Sequence, residues 1–227
     1  MFPLALAAVA LAAPPLPILA EEGSALGLGA LARADTDSLV DPACVGAGCE
    51  ALRSRVNIGG FAQGQLYPWL GGYAALSQEQ VSTPAAFYAA EGIALDAGIV
   101  SSLWARREQG MVAWAHFTAA SAGDATATRS TRYQVEAGAA ARLGTVGGGV
   151  LGFAGGNVLL FGDDELHILS GTVPIPLEPA LPVEAVAGVV VTSEPLGAYD
   201  SASRLMLNAD IRLGARNGVG LALGLTL

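Results

Sequence analysis

The sequence has no lysine and little charge of either sign. All 11 basic residues are arginine, and charged residues make up 14% of the 227 residues, against roughly 25% in ordinary soluble proteins. With 20 acidic residues the formal net charge is -9. No basic stripe is therefore available to displace counterions from a nucleic-acid backbone, and the composition argues against nucleic acid as a partner.

Long hydrophobic runs are also missing. Hydrophobic residues make up 52% of the chain, and the mean hydropathy is +0.50. Beyond residues 1–20, however, no uninterrupted apolar stretch approaches the ~20 residues that a membrane-spanning helix needs. Apolar residues dispersed in alternation, in a chain with 30 glycines, are typical of a transmembrane β-barrel.

Cysteine is scarce, and its two copies lie in a short segment, DPACVGAGCEALR, as Cys44 and Cys49. Two thiols without a nearby histidine cannot complete a zinc site, so we expect no metal and no cofactor. Residues 1–20, MFPLALAAVALAAPPLPILA, predict a secretory signal peptide cleaved near Ala20. An exported chain reaches an oxidising compartment, where we expect Cys44 and Cys49 to form a disulfide.

Strict alternation is clearest in the last 24 residues, RLMLNADIRLGARNGVGLALGLTL. One face of each run is apolar, and the other carries small or charged residues, which predicts two strands. Asn217-Gly218 lies between the runs, and Asn-Gly is the strongest short-range signal of a two-residue hairpin turn. We therefore predict a terminal β-hairpin that turns at Asn217-Gly218.

Six further alternating segments precede this hairpin: residues 55–76, 87–103, 111–119, 132–143, 146–161 and 183–193. Together they predict an all-β, closed, antiparallel up-and-down barrel of eight strands over residues 54–227, in which residues 162–182 form a long loop. The alternative count is ten, if the first segment splits at Pro68 and LHILSGTV pairs as a strand. Residues 21–53 lack sustained alternation, and we expect them to form a periplasmic segment outside the barrel.

Charged residues fall on the parity opposite to the apolar one. In RYQVEAGAAARL the apolar parity begins at Tyr133, and the same division recurs in the terminal hairpin. If the apolar parity faces lipid, the charges line a narrow interior and pair with each other there. The predicted interior charge network comprises Arg132, Glu136, Arg142, Arg204, Asp210 and Arg212.

The signal peptide, the alternating strands from about Arg55 and the apolar terminal strand together resemble the small outer-membrane β-barrels of Gram-negative bacteria, the OmpA/OmpX-like group. The resemblance implies location in the outer membrane, with membrane lipid and the barrel assembly machinery as partners. The resemblance covers architecture only. The leading hypothesis for function is a non-enzymatic barrel in an envelope-structural or surface-loop binding role, and a barrel of eight strands leaves no room for a wide pore. The resemblance does not identify the partner of the loops.

Two other functions stay open. Some small barrels modify lipids with a histidine, a hydroxyl and a carboxylate, and His116, Thr118 and Glu136 are the residues here that could form a hydrolytic set. Thr118 lies two residues after His116, hence on the same face of a strand. The third possibility is a secreted soluble β-barrel that binds an apolar ligand inside.

Overall fold

The computed structural model describes residues 26–40, 50–67, 69–83, 88–106, 109–123, 129–144, 149–167, 175–176, 178–179, 183–193, 203–214 and 216–226. Ten strands of 10 to 19 residues dominate these ranges. They are β1 (Leu26–Val40), β2 (Glu50–Tyr67), β3 (Leu70–Thr83), β4 (Tyr88–Arg106), β5 (Gln109–Gly123), β6 (Arg129–Gly144), β7 (Gly149–His167), β10 (Val183–Thr192), β11 (Arg204–Gly214) and β12 (Arg216–Thr226). Two-residue strands β8 (Ile175–Pro176) and β9 (Glu178–Pro179) lie between β7 and β10. Among these residues there is no helix whose length and apolar content would let it span a bilayer.

The ten long strands close into a ring. Each strand from β1 to β7 pairs antiparallel with the next, β7 pairs with β10, and β12 returns to pair with β1. The pairs β10–β11 and β11–β12 complete the circuit. Closure lets every long strand exchange backbone hydrogen bonds on both sides, which a barrel wall in hydrocarbon requires.

The preferred count of eight strands is wrong, and the structure has the alternative count of ten. The first alternating segment divides around Pro68, into β2 and β3, as that alternative expects. The second additional strand is not LHILSGTV, because Leu166 and His167 instead end β7. It is β1, which lies further towards the N-terminus.

The position of β1 corrects the expectation that residues 21–53 lie outside the barrel. Leu26–Val40 pairs with β12 on one side and with β2 on the other, and β2 itself begins at Glu50. The start of β1 has glycine on its inner face, at Gly27 and Gly29, so the contrast between its two faces is weak. Residues 1–20 and both cysteines lie outside the described residues, and the signal peptide and the disulfide stay predictions.

The terminal hairpin turns earlier than Asn217-Gly218. Strand β11 ends at Gly214 and β12 begins at Arg216, so Asn217 and Gly218 lie inside β12, opposite Thr36 and Asp35 of β1. Gly214 has a φ of 140°, a conformation that glycine adopts without strain. The side-chain oxygen Oδ1 of Asn217 accepts a hydrogen bond from the Gly214 backbone N–H at 3.3 Å, which supports the turn from within the strand.

The barrel has two different ends. At one, which we call the terminal end, β1 begins and β12 ends; at the other, the loop end, residues 41–49 join β1 to β2 and residues 168–182 join β7 to β10. Outer-membrane barrels have longer connections on the extracellular side. By that rule we expect the loop end to face the cell exterior.

The outer surface is apolar all round the ring. Every long strand contributes exposed large hydrophobic side chains, of which Leu143 is 66% exposed and Ile93 63%. A continuous apolar surface of this extent is incompatible with water, but it matches the lipid-facing band of a membrane barrel. It excludes the soluble-barrel alternative.

Candidate functional site

The lumen is layered along the barrel axis. Its half nearer the terminal end holds a buried apolar cluster drawn from all ten long strands. The members are Leu31, Phe61, Ala75, Val100, Val112, Ala140, Leu151, Phe153, Val186, Val190, Met206 and Ala222, with Trp114 packed against them. Its half nearer the loop end holds the buried charges. Side chains therefore fill the interior at both levels.

Several inner rings lie over glycines of the neighbouring strand. A Cβ atom added to Gly98 would approach the Tyr73 hydroxyl to 2.7 Å, and one added to Gly188 would approach the Phe153 ring to 2.5 Å. Phe61 covers Gly29 in the same manner. Because a glycine leaves the space that the ring occupies, these pairs let large rings lie flat inside a narrow barrel.

Arg216 is the centre of the charged half. Its guanidinium Nε donates to Glu184 Oε1 at 2.5 Å, Nη2 donates to Glu136 Oε1, and Nη1 donates to Gln134 Oε1 at 3.2 Å. The amide of Asn157 donates to Glu136 at 2.7 Å and to Glu184 at 3.3 Å. Four strands, β6, β7, β10 and β12, are thus tied together across the lumen by charge-assisted hydrogen bonds.

A second link joins β6 to β3. Arg132 Nη2 donates to Glu79 Oε1 at 2.5 Å, and Nη1 of the same residue donates to Gln134 Oε1 at 3.3 Å. Gln134 therefore connects this pair to Arg216. The connected network reaches across the barrel between strands that are not neighbours in the sheet.

His116 joins the network from β5. Its ring Nε2 lies 3.1 Å from Asp96 Oδ1, and its Nδ1 lies 3.4 Å from Glu136 Oε2. The Thr118 hydroxyl donates to Asp96 Oδ1 at 2.5 Å and lies 2.8 Å from His116 Nε2. Each ring nitrogen thus faces a carboxylate oxygen, which accepts hydrogen bonds when it is ionised.

The structure therefore brings His116, Thr118 and Glu136 together, as a hydrolytic set requires. All three are at most 4% exposed and lie on the inner face, whereas lipid contacts the outer face. To accept the threonine proton, the ring would need an unprotonated Nε2, the nitrogen that also faces Asp96. Asp96, the residue that binds both the ring and the hydroxyl, was not among the expected members.

The six residues of the expected interior network all have inner-face parity. Arg132, Glu136, Asp210 and Arg212 are buried, and Arg142 and Arg204 are half-buried near the terminal end. Sequence reasoning did not assign Glu79, Asp96 and Glu184 to the network, although each lies on the polar parity of its strand. It also omitted Arg33 and Asp35, an ion pair of β1 at 2.5 Å, because that strand was not recognised.

No group of three or more metal-ligating side chains is arranged to hold a metal ion within the described part of the chain. A closed antiparallel barrel of even strand number, apolar outside and charged inside, is the architecture of bacterial outer-membrane proteins. The chain is an outer-membrane β-barrel, consistent with the small barrels of Gram-negative bacteria.

No protein-family model and no curated protein sequence matches the chain. Among solved structures it is similar to the translocator domain of the autotransporter NalP from Neisseria meningitidis, at 11% identity and a TM-score of 0.46 over 92% of this chain and 90% of that one. It is similar to the transport unit of the autotransporter AIDA-I from Escherichia coli, at 12% identity and a TM-score of 0.42 over 91% of each chain.

A mutant of the monoaromatic hydrocarbon channel TodX is similar at 10% identity and a TM-score of 0.25, over 93% of this chain and 92% of that one. At TM-scores below 0.5 these likenesses carry no inference about activity. The apolar outer face and the charged inner face of the barrel are what identify an outer-membrane protein.

Proposed function

We propose that this outer-membrane barrel is non-conducting and non-enzymatic, and that it acts through its loop end in an envelope-structural or surface-binding role. The observation that carries the proposal is the filled lumen. A buried ionic network occupies one half and a buried apolar cluster the other. A wall whose interior is packed in this manner serves as an anchor for the connections at its loop end.

The apolar half is the stronger obstacle to ions. Phe61, Phe153, Val100 and Met206 are at most 5% exposed and pack in one cluster. Moving a charge through such a layer would remove its hydration without offering polar partners. Even if the ionic half rearranged, the apolar layer would still block the lumen.

The loop end is where a partner can reach the protein. Strands of 14 to 19 residues, such as β3 and β4, are longer than the 9 to 11 residues that span a bilayer. Beyond the apolar band their outward residues turn polar, as at Gln78, Gln80 and Ser121, all exposed. The wall therefore projects past the membrane on the side that carries residues 41–49 and 168–182.

Planar-bilayer recording of the refolded barrel tests the closed lumen, with a wide-pore porin as the positive control. We expect no steady current at neutral pH. A stable open conductance in the unmodified protein would overturn the proposal.

An epitope inserted within residues 168–182 tests the orientation of the barrel. Antibody should bind the epitope on intact cells, and binding only after the cells are opened would contradict the proposed orientation.

A barrel hydrolase is the second candidate, favoured by the 2.8 Å between Thr118 Oγ1 and His116 Nε2. Its test is acyl release from phospholipid in mixed micelles, for the unmodified protein and for Thr118→Val. Under the leading proposal neither releases fatty acid above the rate of empty micelles. Release that Thr118→Val abolishes would establish the hydrolase.

A further inference from the structure

The barrel wall is not equally high all round the loop end. Three consecutive strands, β10, β11 and β12, have 10 or 11 residues, whereas their neighbours β7 and β1 have 19 and 15. The start of β10 is opposite Val158, and β7 continues beyond that point to His167. The start of β12 is opposite Asp37, and β1 continues beyond it to Val40. The wall therefore has a notch above the three short strands.

A short segment of the chain bridges this notch. Ile175 and Pro176 pair with the end of β7, and Glu178 and Pro179 pair with the end of β1, antiparallel in both cases. We call these four residues the strap. The ring separates β7 from β1 by three strands. At the loop end the strap thus provides a second, direct connection between the two.

Buried charges lie at the floor of the notch. Glu184 is the second residue of β10, Arg216 is the first residue of β12, and Arg212 lies two residues before the end of β11. All three are at most 4% exposed. Side chains so near the ends of their strands are shielded from outside water by chain that lies beyond the strands. The strap pairs with the wall on both sides of these strand ends, which is the position that such a cover requires.

The strap is held by few backbone hydrogen bonds. It pairs two residues with each neighbour, whereas the ladders of the short strands comprise nine to eleven residue pairs. One residue of each strap pairing is a proline, Pro176 or Pro179, which has no N–H to donate. Segments with so few hydrogen bonds open locally at a small part of the free energy of global unfolding. The strap can therefore leave the wall while the ten-strand ring stays closed.

We propose that the strap opens and closes access from the loop end to the ionic half of the lumen. With the strap paired, Glu184, Arg212 and Arg216 are shielded from outside water, as the structure has them. With the strap detached, water and small solutes enter the notch and reach these charges. The opened half is a blind vestibule, because the buried apolar cluster still closes the lumen beneath it.

A disulfide between Val40→Cys and Glu178→Cys tests the strap, in a background in which both native cysteines are serine. The two positions are opposite each other, and opposite residues of antiparallel strands have Cβ atoms about 4.5 to 5.5 Å apart, which a disulfide can join after small adjustments. The folded barrel is treated with phenylglyoxal, and peptide mass spectrometry measures the labelling rate of each arginine. We expect Arg212 and Arg216 to react roughly tenfold more slowly with the disulfide formed than after its reduction, because labelling follows the population of the open form.

Ser54→Cys with Ser82→Cys is the matched control, since this disulfide joins opposite residues of β2 and β3 at the same end without involving the strap. Its oxidation should leave the labelling of Arg216 unchanged, and the exposed Arg129 should react equally in every sample. Equal labelling of Arg216 before and after reduction of the strap disulfide would overturn the proposal, because the strap would then not control access. Failure of the strap disulfide to form in the folded barrel would overturn it as well, because the strap would then not be paired with β1.

Discussion

Arg216 is the residue on which the ionic half of the lumen depends. It is buried and contacts two carboxylates from different strands, Glu136 and Glu184. A buried ion pair adds little net stability over an apolar replacement of the whole group, but removing one member leaves the other charge buried and unpaired. The network is thus more important for keeping the lumen closed than for the total free energy of unfolding.

We expect Arg216→Met to lower the free energy of unfolding by about 3 to 5 kcal/mol, because both carboxylates lose their nearest cation. Arg129→Met is the control, since Arg129 lies exposed on the outer face of β6, where a substitution changes stability by at most about 0.5 kcal/mol. Urea unfolding in detergent micelles measures both. Similar losses for the two variants would contradict the role of Arg216.

Alternation predicts the face of a residue but not its partner. The parity of RYQVEAGAAARL is enough to assign Arg132 and Glu136 to one face. Their partners come from strands far along the chain, Glu79 for Arg132 and Arg216 for Glu136. Which inner side chains meet depends on the number of strands and on their stagger, and one sequence does not supply either.

At the scale of the element, glycines on the inner face decide how closely rings can approach the wall. Gly98 of β4 lies beneath Tyr73, whereas Gly72 of β3 lies on the outer face, where an added Cβ atom would meet its nearest neighbour at 3.5 Å. In the β3–β4 pair, Gly98 lies opposite Tyr73 and Gly72 lies opposite Ile99, so the two glycines occupy adjacent positions along the pair. They differ mainly in what covers them.

We expect Gly98→Ala to lower the free energy of unfolding by about 1 to 3 kcal/mol, because the new methyl group collides with the Tyr73 ring and with the Ala115 carbonyl. Gly72→Ala should be neutral or slightly stabilising, since it only restricts the unfolded chain. Denaturant unfolding of the two variants in the same detergent compares them. Equal stability would show that the ring moves aside at no cost.

Strand β1 shows why an element can escape sequence analysis. Its outer face is apolar, with Leu26 and Leu28 exposed, but its inner face begins with two glycines and the buried Leu31 before the first charge appears at Arg33. The apolar layer of the lumen thus removes the contrast on which alternation depends. The predicted position of the terminal turn is wrong for a related reason. The Asn217-Gly218 pair was expected to provide the residues with positive φ, but in the structure Gly214 has that conformation.

Depth along a single strand provides a test of the lipid-facing surface. Ala137 and Thr131 both lie on the outer face of β6, Ala137 within the apolar band and Thr131 above it. We expect Ala137→Arg to cost about 2 to 4 kcal/mol in a bilayer and Thr131→Arg about 0 to 1 kcal/mol. Reversible unfolding from bilayers measures both, with thin-chain detergent as the reference. No difference between the variants in the bilayer would contradict the outer-face assignment.

At the scale of the whole molecule, the barrel wall continues past its apolar band at the loop end. We call this exposed polar part of the wall, which includes Gln80 and Glu91, the polar rim. Gln80 of β3 is exposed and hydrogen-bonds Glu91 of β4 at 3.3 Å, whereas Leu95 of β4 lies in the band with 46% exposure. The rim faces water and the band faces lipid. A small hydrophilic reagent reaches only the first.

In a background in which both native cysteines are serine, we expect a membrane-impermeant maleimide to label Gln80→Cys on intact cells. Leu95→Cys should stay unlabelled until the protein is unfolded, because hydrocarbon excludes both water and the reagent. Gel shift of the labelled protein measures the outcome. Labelling of Gln80→Cys only in opened cells would place the loop end in the periplasm.

The pairing of β12 with β1 has a consequence for how the molecule folds. Eleven residue pairs, from Gly27 with Thr226 to Asp37 with Arg216, join the first described strand to the last. Contacts so distant along the chain carry a large loop-closure entropy and form late, which makes folding slow. Until the last strand arrives, β1 and β11 each present an unpaired edge that can capture a strand from another chain. A nascent chain is therefore prone to self-association until its barrel closes. A copy truncated before β12 keeps both edges open and stays prone to it.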